Sequence, residues 1–393
     1  MNKEQFYEYI RGKRVAFCGI GRSHMPLIER FISYGAVVSA RDRRGLEELG
    51  EDGEKLKALG AKLILGEGYL DGLEEDIIFR TPGMRFYLPQ LEQARSRGAV
   101  VTSELEVFFM LCPCRTYAVT GSDGKTTTTT ILAEFLKAAG KTVHLGGNIG
   151  RPLLPQLDEI SQNDVVVAEL SSFQLISMRS SPDVAVVTNL APNHLDVHKD
   201  MQEYIDAKKN IFLHQDGFSR TVLNLDNEIT AGFVPLVRGD CWGFSRKGRP
   251  NRGVFCDGER ISVNGEELLK VKDIKLPGWH NVENYMAAIA AAYEHVPKEA
   301  MRRVAREFGG VEHRMEFVRE LDGVKYYNDS IASSPSRTIS GTLACYKDGL
   351  VLIAGGYDKH IPYDPIGPAI CGRVKTLILM GDTGPKIEAA VQH

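Results

Sequence analysis

The stretch Thr120-Gly121-Ser122-Asp123-Gly124-Lys125-Thr126-Thr127 decides the fold class, because it joins a predicted strand to a predicted helix at 126–139. Glycines let the backbone fold back so that successive N–H groups point at phosphate oxygens, and the helix N-terminus adds a favourable field. The Lys125 ammonium suits the outer phosphates, and the Thr126 hydroxyl suits Mg²⁺. A glycine turn with an exposed lysine is the alternative. We interpret the stretch as a phosphate loop, shorter than the common P-loop because only two residues separate Gly121 from Gly124, where that motif has four.

A second motif, Glu169-Leu170-Ser171-Ser172-Phe173-Gln174-Leu175, comes at the end of an apolar run at 164–170. Open parallel sheets bind ligands at the carboxyl ends of their strands, where Glu169 is predicted to lie. A carboxylate at that edge can hold a hard cation between a nucleotide and a second substrate. Taken alone, such a glutamate is usually a solvated rim residue. Beside a phosphate loop, we predict a metal ligand.

Two further candidates are weaker on spacing alone. His194 follows another apolar run, at 183–189, so a metal role and a structural role both stay open. An amphipathic helix at 204–212 carries Lys208 and Lys209, and only the direction in which each side chain faces can distinguish them.

The N-terminal region has the outline of a nucleotide-binding βαβ unit. A strand-like run at 14–18 leads into the turn Gly19-Ile20-Gly21, a helix and a second strand that ends at Asp42. A full dinucleotide fingerprint requires a further glycine where His24 stands. A bulky side chain there disfavours a close pyrophosphate, so the pattern argues against NAD.

Composition limits the class of protein. The chain has 393 residues, enough for two to three domains, with 43% hydrophobic and 25% charged residues. A formal net charge of -3 gives no global reason to bind nucleic acid or an anionic membrane. The N-terminus is polar, the apolar runs are too short to span a bilayer, and the seven cysteines lack the spacing of a zinc site. We predict a cytoplasmic protein with free thiols.

The remaining motifs are individually weak. The stretch 242–275 is glycine-rich and alternates in polarity, which predicts hairpins or an insertion, and an alanine-rich helix follows near 281–293. Polar groups flank turns at 278–284, 312–316 and 327–330, but an asparagine near a helix start is usually a cap.

Together these motifs resemble, in order and spacing, those of the Mur ligase family. The most discriminating is the run 169–175, which resembles the D-glutamate-adding members, and Gly146-Gly147-Asn148-Ile149-Gly150, Thr81-Pro82-Gly83 and Asn281-x-x-Asn284 agree with them. The resemblance covers nearly the whole chain. It implies an α/β protein of three domains: a Rossmann-like UDP-binding domain at 1–110, a central P-loop ATPase domain with a mostly parallel sheet at 111–311, and a Rossmann-like ligase domain at 312–393 that is shortened at its end.

The resemblance also implies a reaction. ATP phosphorylates the L-alanyl carboxylate of UDP-N-acetylmuramoyl-L-alanine, and the amine of D-glutamate attacks the acyl phosphate, which releases ADP and phosphate during peptidoglycan synthesis. The implied protein is a monomer that neither inserts into a membrane nor binds nucleic acid.

Roles for individual residues follow from the same resemblance. Lys125, Glu169, His194 and Lys208 are implied to be catalytic. Two Mg²⁺ ions are implied, with Thr126 and Glu169 on one, and Glu169, His194 and Lys208 on the other, the lysine being carbamylated by CO₂. The implied binding residues are, for ATP, Gly121, Ser122, Gly124, Lys125, Thr126, Thr127, Asn281, Arg314 and Asp329; for the UDP substrate, Ser23, Asp42, Arg43, Thr81, Asn148 and Ser171; and for D-glutamate, Lys359.

Three features depart from the family pattern. Arg22-Ser23-His24 replaces small residues in the UDP loop, Ile331 stands where many members have lysine, and the chain stops at His393, before the segment that completes the D-glutamate pocket in relatives. Two alternatives stay open: a related ligase for another amino acid, such as a folylpolyglutamate synthetase, and an inactive nucleotide-binding relative.

Overall fold

The structure, a computed structural model, describes residues 1–192, 197–332, 334–346, 349–358 and 361–392. The chain divides into two compact units. The first comprises Met1–Leu269 with Asn284–Met301, and the second comprises Lys270–Glu283 with Arg302–His393. Both are built from strands that alternate with helices, so the predicted α/β class is confirmed.

The first sheet of unit one is entirely parallel. Its strands are short apolar runs covered by helices, as expected for a sheet buried on both faces. The strand order is 3-2-1-4-5, with every neighbouring pair parallel. The strands are β1 (Arg14–Cys18), β2 (Val37–Asp42), β3 (Lys62–Leu65), β4 (Ile77–Arg80) and β5 (Val100–Thr102), and the helices of this region are α1 (Lys3–Ile10), α2 (Met25–Ser33), α3 (Leu46–Leu49), α4 (Glu51–Ala58), α5 (Pro89–Ser96) and α6 (Glu104–Leu111).

The second sheet of unit one has nine strands in the order 14-13-12-11-10-9-6-8-7. In this order, every neighbouring pair from β12 to β7 is parallel, whereas β12 pairs antiparallel with β13. The strands are β6 (Arg115–Thr120), β7 (Val143–Gly147), β8 (Val165–Glu169), β9 (Val184–Val187), β10 (Arg220–Asn224), β11 (Asp240–Ser245), β12 (Gly253–Cys256), β13 (Arg260–Val263) and β14 (Glu266–Lys270), and the helices are α7 (Lys125–Ala138), α8 (Ser172–Leu175), α9 (Met201–Lys209) and α10 (Glu228–Ala231). Helices α11 (Trp279–Ala292) and α12 (Lys298–Glu307) each have residues in both units.

This strand order positions the candidate site. Strand β6 lies between β8 and β9, so the carboxyl ends of these three strands are neighbours. The phosphate loop after β6, Glu169 at the end of β8 and the segment after β9 therefore share one edge of the sheet. The stretch 242–275 extends this same sheet: β11 pairs parallel with both neighbours, so only its later part forms the predicted hairpins.

Unit two contains two small sheets. One is an antiparallel hairpin, and the other is a parallel pair whose inner face packs on helices around Leu343, Ile366, Ile370 and Ile387. The strands are β15 (Glu316–Leu321), β16 (Val324–Asn328), β17 (Leu350–Gly355) and β18 (Val374–Met380), and the helices are α13 (Pro335–Thr338), α14 (Ile366–Cys371) and α15 (Gly384–Gln392), with a π-helical turn at Ile339–Leu343. In the described parts of the chain, no helix is both long and apolar enough to cross a membrane.

Candidate active site

The phosphate loop is held in shape by two glycines and by the segment after β9. Gly121 has φ +153°, and a Cβ there would lie 1.9 Å from Thr188 Oγ1. Gly124 has φ +78°, and a Cβ there would lie 2.3 Å from Asn284 Oδ1 on α11. Because these contacts leave no room for a side chain, both positions require glycine.

Two loop amides point to protein partners instead of outward, which the sequence did not predict. Ser122 N donates to Asn189 O (2.8 Å), and Asp123 N donates to Asn189 Oδ1 (3.0 Å). The amides of Thr126 and Thr127 lie in the first turn of helix α7, where amides have no acceptor within the helix. Amides in this position can bind phosphate oxygens. The Lys125 side chain folds back over the loop, and its Nζ donates to Gly121 O and Ser122 O.

Glu169 is buried at the end of β8, with one carboxylate oxygen engaged. Its Oε1 accepts a hydrogen bond from Asn148 Nδ2 (2.8 Å), and its backbone carbonyl accepts from Asn148 N (2.8 Å). Its Oε2 is buried and has no hydrogen-bond partner among the described residues. A buried carboxylate oxygen needs a compensating positive group, which a bound cation would supply.

Lys208 belongs to the same site, and the structure distinguishes it from Lys209. The Lys208 side chain is 2% exposed, and its Nζ donates to Thr120 Oγ1 (3.1 Å) and to Gly121 O (2.9 Å). Lys209 is partly exposed and pairs with Asp206 (2.9 Å). Burial, and then the nearby charge of Lys125, lower the pKa of Lys208 well below its usual value, while Glu169 opposes the shift.

Tyr204, which the sequence analysis missed, joins Lys208 to the phosphate loop. Its hydroxyl lies 2.9 Å from Ser122 Oγ, and its ring centroid lies 4.9 Å from Lys208 Nζ. The spacing of four residues on one helix was the available signal, because side chains at i and i+4 share a face.

His198 is a second residue to which the sequence analysis gave no role, and it is buried. Its ring stacks on Phe173 (5.0 Å between centroids), Nε2 lies 2.8 Å from Ser172 Oγ, and Nδ1 lies 3.1 Å from Glu203 Oε2. These contacts fix the ring against helix α8. The predicted metal ligand His194 lies at 193–196, outside the described residues.

Ser171 begins helix α8 through a capping box. Its Oγ donates to Gln174 Oε1 (2.9 Å) and accepts from Gln174 N (3.3 Å). The Ser-Ser-Phe-Gln run therefore has a local structural role, since it starts the helix at the edge where Glu169 lies.

In the first sheet, Asp42 and Thr81 lie beside the glycine turn. Asp42 Oδ2 accepts from Ile20 N (2.6 Å), and Thr81 packs so closely that a Cβ on Gly19 would lie 2.7 Å from Thr81 Cγ2. Although desolvation opposes it, hydrogen bonds from Arg44 and from Ile20 N lower the pKa of Asp42. Ser23 is half-buried in the turn that leads to α2.

Arg43 and Arg44 face different partners. Arg43 is largely exposed and pairs with Glu67 (2.9 Å), whereas Arg44 donates to Asp42 Oδ1 (3.0 Å from Nε) and to Ile20 O. Arg44 is therefore the arginine that organises the glycine turn. The sequence analysis missed Arg44 because the sequence does not show in which direction each of two consecutive arginine side chains points.

His24 does not protrude from the turn. Its ring is buried, packs edge-on to Phe17 (5.2 Å between centroids) and places Nδ1 2.7 Å from Gly19 O. Burial lowers the pKa of His24 to about 4, so the ring is neutral at neutral pH.

Unit two holds the other predicted ATP residues. Asn281 Nδ2 donates to Pro277 O (2.7 Å), and the two Asp329 oxygens accept from Met315 N (3.1 Å) and Thr342 Oγ1 (2.6 Å). Burial lowers the pKa of His280, which lies close enough to Arg314 and Asp329 to be influenced by both charges. Ile331 is exposed. The predicted D-glutamate residue Lys359 lies outside the described residues.

Two observations concern metals and thiols. Among the described residues, no group of three or more His, Cys, Asp and Glu side chains forms a ready-made metal site. The seven cysteines, all described, carry free thiols, as the sequence predicted.

Comparison with known proteins identifies the family. Residues 119–292 match the Mur ligase middle domain. A UDP-N-acetylmuramoylalanine–D-glutamate ligase of Acetivibrio thermocellus is 53% identical over 396 residues, covering 98% of this chain and 84% of that protein. Enzymes of the same name from Ruminiclostridium cellulolyticum (52%, covering 99% and 85%) and Clostridium perfringens (48%, covering 99% and 85%) are similar over the same span.

Solved structures agree on the fold. A UDP-N-acetylmuramoylalanyl-D-glutamyl-2,6-diaminopimelate–D-alanyl-D-alanyl ligase of Acinetobacter baumannii has a TM-score of 0.62 at 15% identity, covering 100% of this chain and 87% of that one. The UDP-N-acetylmuramate–alanine ligase of Thermotoga maritima has a TM-score of 0.59 at 21% identity, covering 97% and 88%. With the sequence matches above, these findings place the chain in the Mur ligase family, among its UDP-N-acetylmuramoylalanine–D-glutamate ligases.

Proposed function

We propose that this protein joins D-glutamate to UDP-N-acetylmuramoyl-L-alanine with ATP, as a cytoplasmic monomer in peptidoglycan precursor synthesis. The observation that carries the proposal is the convergence of three groups at one sheet edge. Lys208 Nζ lies 2.9 Å from Gly121 O of the phosphate loop, and the charges of Lys125 and Glu169 both act on it. A ligase that activates a carboxylate with ATP needs a phosphate loop, a cation ligand and charged groups that neutralise the phosphates. The loop, Glu169 and the two lysines offer these together.

The first step transfers the γ-phosphoryl group of ATP to the L-alanyl carboxylate. A carboxylate oxygen bonds to phosphorus, the bond to the bridging oxygen breaks, and ADP leaves with that electron pair. The first-turn amides of α7 and Lys125 hold the phosphates, and neutralising charge is the main requirement for such a transfer.

The second step forms the amide bond. The neutral amine of D-glutamate attacks the acyl carbon, the tetrahedral intermediate collapses, and phosphate leaves with the oxygen that came from the L-alanyl carboxylate. The amine loses a proton along the way. Atoms and charge therefore balance without any oxidant or reductant.

Magnesium fits the residues that are present. Glu169 offers a buried carboxylate oxygen without a protein partner among the described residues, and the Thr126 hydroxyl lies at the start of α7. We assign one Mg²⁺ to Thr126 and Glu169, and a second to Glu169, His194 and a carbamate on Lys208. Bound magnesium supplies charge neutralisation for the phosphates.

The environment of Lys208 supports the proposed carbamate. Only a neutral amine reacts with CO₂, and burial together with Lys125 lowers the pKa of Lys208. Carbamylation releases a proton and replaces a cation with an anion. The site then gains a metal ligand and loses the repulsion between two lysines.

We assign the UDP substrate to the edge of the first sheet, through Ser23, Asp42, Arg43 and Thr81, with Asn148 and Ser171 at its alanyl end. Arg44 supports this surface by holding Asp42 and the glycine turn. Gly121, Ser122, Gly124, Lys125, Thr126 and Thr127 are assigned to the ATP phosphates, Asn281, Arg314 and Asp329 to the rest of ATP, and Lys359 to D-glutamate. The corresponding domains are proposed at 1–110, 111–311 and 312–393.

The test is ADP release measured with UDP-N-acetylmuramoyl-L-alanine and, in turn, D-glutamate, L-glutamate, L-alanine and L-lysine. We expect ADP only when the nucleotide and D-glutamate are both present. Equal release with another amino acid, or release without any amino acid, would show that the proposed substrate is wrong.

A further inference from the structure

Arg80 is the last residue of β4 and is 1% exposed. Its Nη1 donates to the carbonyls of Met84 (3.1 Å) and Thr81 (3.4 Å). Its Nη2 donates to Phe173 O (2.9 Å) and to Ser177 Oγ (3.0 Å). One guanidinium therefore ties the turn at 81–84 of the first sheet to the segment 173–177 that follows the capping box of the second.

Joining the two segments through a buried arginine costs free energy. The four acceptors are three carbonyls and a hydroxyl, and Arg80 Nε is buried without a partner among the described residues. Burying a charge that is hydrogen-bonded only to neutral groups costs free energy that an apolar contact would avoid. Burial accordingly lowers the pKa of Arg80 to about 10, which still leaves it charged at neutral pH. A role beyond packing would account for this cost.

The segments that Arg80 joins carry the residues assigned above to opposite ends of the nucleotide substrate. Thr81 begins the turn at the UDP end, and Ser171 starts the helix that contains Phe173 at the alanyl end. We propose that Arg80 is a positioning residue that sets the distance between the UDP subsite and the alanyl subsite, so that both ends of one substrate bind together. This inference rests on the proposed function.

The geometry explains why arginine is suited to this role. Its planar fork presents donors in two directions from one rigid group, and here one arm serves each segment. Lysine offers one flexible point charge and cannot hold both segments at a fixed separation. When a substrate bridges two subsites, its affinity depends on their spacing, because the second contact forms at an effective concentration set by geometry.

The chain offers a matched control in Arg220. It is also buried within the same unit, and it bonds to Asp240 (3.1 Å), Glu294 and Ala290 O (3.2 Å). Because Arg220 begins the parallel strand β10, it lies at the edge of the sheet opposite the phosphate loop. Loss of this arginine should affect stability without altering the substrate subsites.

The experiment compares Arg80→Lys, Arg220→Lys and wild type by calorimetric titration with UDP-N-acetylmuramoyl-L-alanine and with UDP alone. We expect Arg80→Lys to weaken the full nucleotide about tenfold, as the loss of two hydrogen bonds implies. Its affinity for UDP alone should stay within about twofold, because UDP occupies only one of the two subsites whose spacing changes. Both affinities of Arg220→Lys should also stay within about twofold, since distant sites act independently. Ser177→Ala removes only one acceptor and serves if Arg80→Lys fails to fold; we expect a smaller loss for the full nucleotide only.

Two results would overturn the inference. One is an equal loss of affinity for UDP and for the full nucleotide, which would make Arg80 a support of the UDP turn alone. The other is an Arg80→Lys protein that, like Arg220→Lys, melts earlier but binds both ligands normally. Binding is measured apart from turnover, so a wild type that binds the full nucleotide but forms no ADP with D-glutamate would refute the proposed function and leave this test intact.

Discussion

Replacing Lys208 with alanine should nearly abolish ligation, and short carboxylates should restore part of it. A lysine with the ordinary pKa of about 10.4 is neutral in roughly one molecule in a thousand at pH 7.4. Burial and Lys125 lower the pKa of Lys208, so its CO₂-reactive form is more populated. Losing one preorganised charged group from such a site slows catalysis about 10²- to 10³-fold. We therefore expect Lys208→Ala to keep about 1% of the wild-type rate or less.

The assay is ADP release in bicarbonate-depleted buffer, with and without formate or acetate. Lys209→Ala is the matched control, because Lys209 neighbours Lys208 but pairs with Asp206 at the surface. A surface pair contributes little, so its rate should stay within about twofold of wild type. If folded Lys208→Ala retains a rate comparable to Lys209→Ala, or gains nothing from any small carboxylate, the carbamate assignment is wrong.

Three further predictions concern folding and the loop. Burial raises the pKa of Glu104 to about 7, although hydrogen bonds from the amides of Leu154 and Leu153 oppose the shift. Between about pH 4.3 and 7, the Glu104 carboxyl therefore keeps a proton in the folded state that it has lost in the unfolded state. The free energy of unfolding consequently falls as pH rises from about 4.3 to 7. Glu104→Gln should flatten this decline and be more stable above pH 7 by about 3 kcal/mol in denaturant titrations; an unchanged pH profile would refute it. Gly124→Ala should lower the free energy of unfolding by about 1–3 kcal/mol and weaken ATP binding. The control Gly140→Ala, which has open space around the added Cβ, should lower stability without affecting ATP binding. Equal ATP affinity in the two variants would show that Gly124 does not shape the phosphate loop. Tyr204→Phe should cost about 1 kcal/mol and raise KM for ATP, and a KM identical to that of wild type would show that its hydroxyl does not position the loop.

Local rules predicted the strand–loop–helix arrangement around Gly124 well. A glycine that must adopt positive φ, followed by lysine and a run of threonines, specifies where a helix starts, and α7 begins at Lys125, one residue before the predicted start. The N-terminal βαβ unit was predictable for the same reason, since apolar runs and a glycine turn are short-range signals.

The direction in which a side chain faces, and contacts between segments that are distant in sequence, could not be predicted in the same way. Lys208 and Lys209 differ because only Lys208 Nζ meets Thr120 and Gly121, which lie far away in the sequence. The Tyr204–Ser122 contact likewise joins residues that no local pattern connects. Such choices are made by tertiary packing, where burial decides which of two similar side chains enters the site.

The buried arginines show the same limit. An arginine at a strand end is normally read as a surface residue, because long charged side chains are rarely buried. Arg80 and Arg41 are both buried, Arg41 beside Glu75 (2.9 Å) and Arg80 among backbone carbonyls. Only the assembled sheets show that carbonyl groups converge there.

The most direct measurement uses UDP-N-acetylmuramoyl-L-alanine that carries ¹⁸O in both oxygens of its alanyl carboxylate. After reaction with ATP and D-glutamate, the released phosphate is analysed by mass spectrometry. Because that carboxylate attacks phosphorus and the same oxygen leaves with phosphate, each phosphate should contain one ¹⁸O. Phosphate without the label would mean that no acyl phosphate forms at the edge shared by Lys125, Glu169 and Lys208.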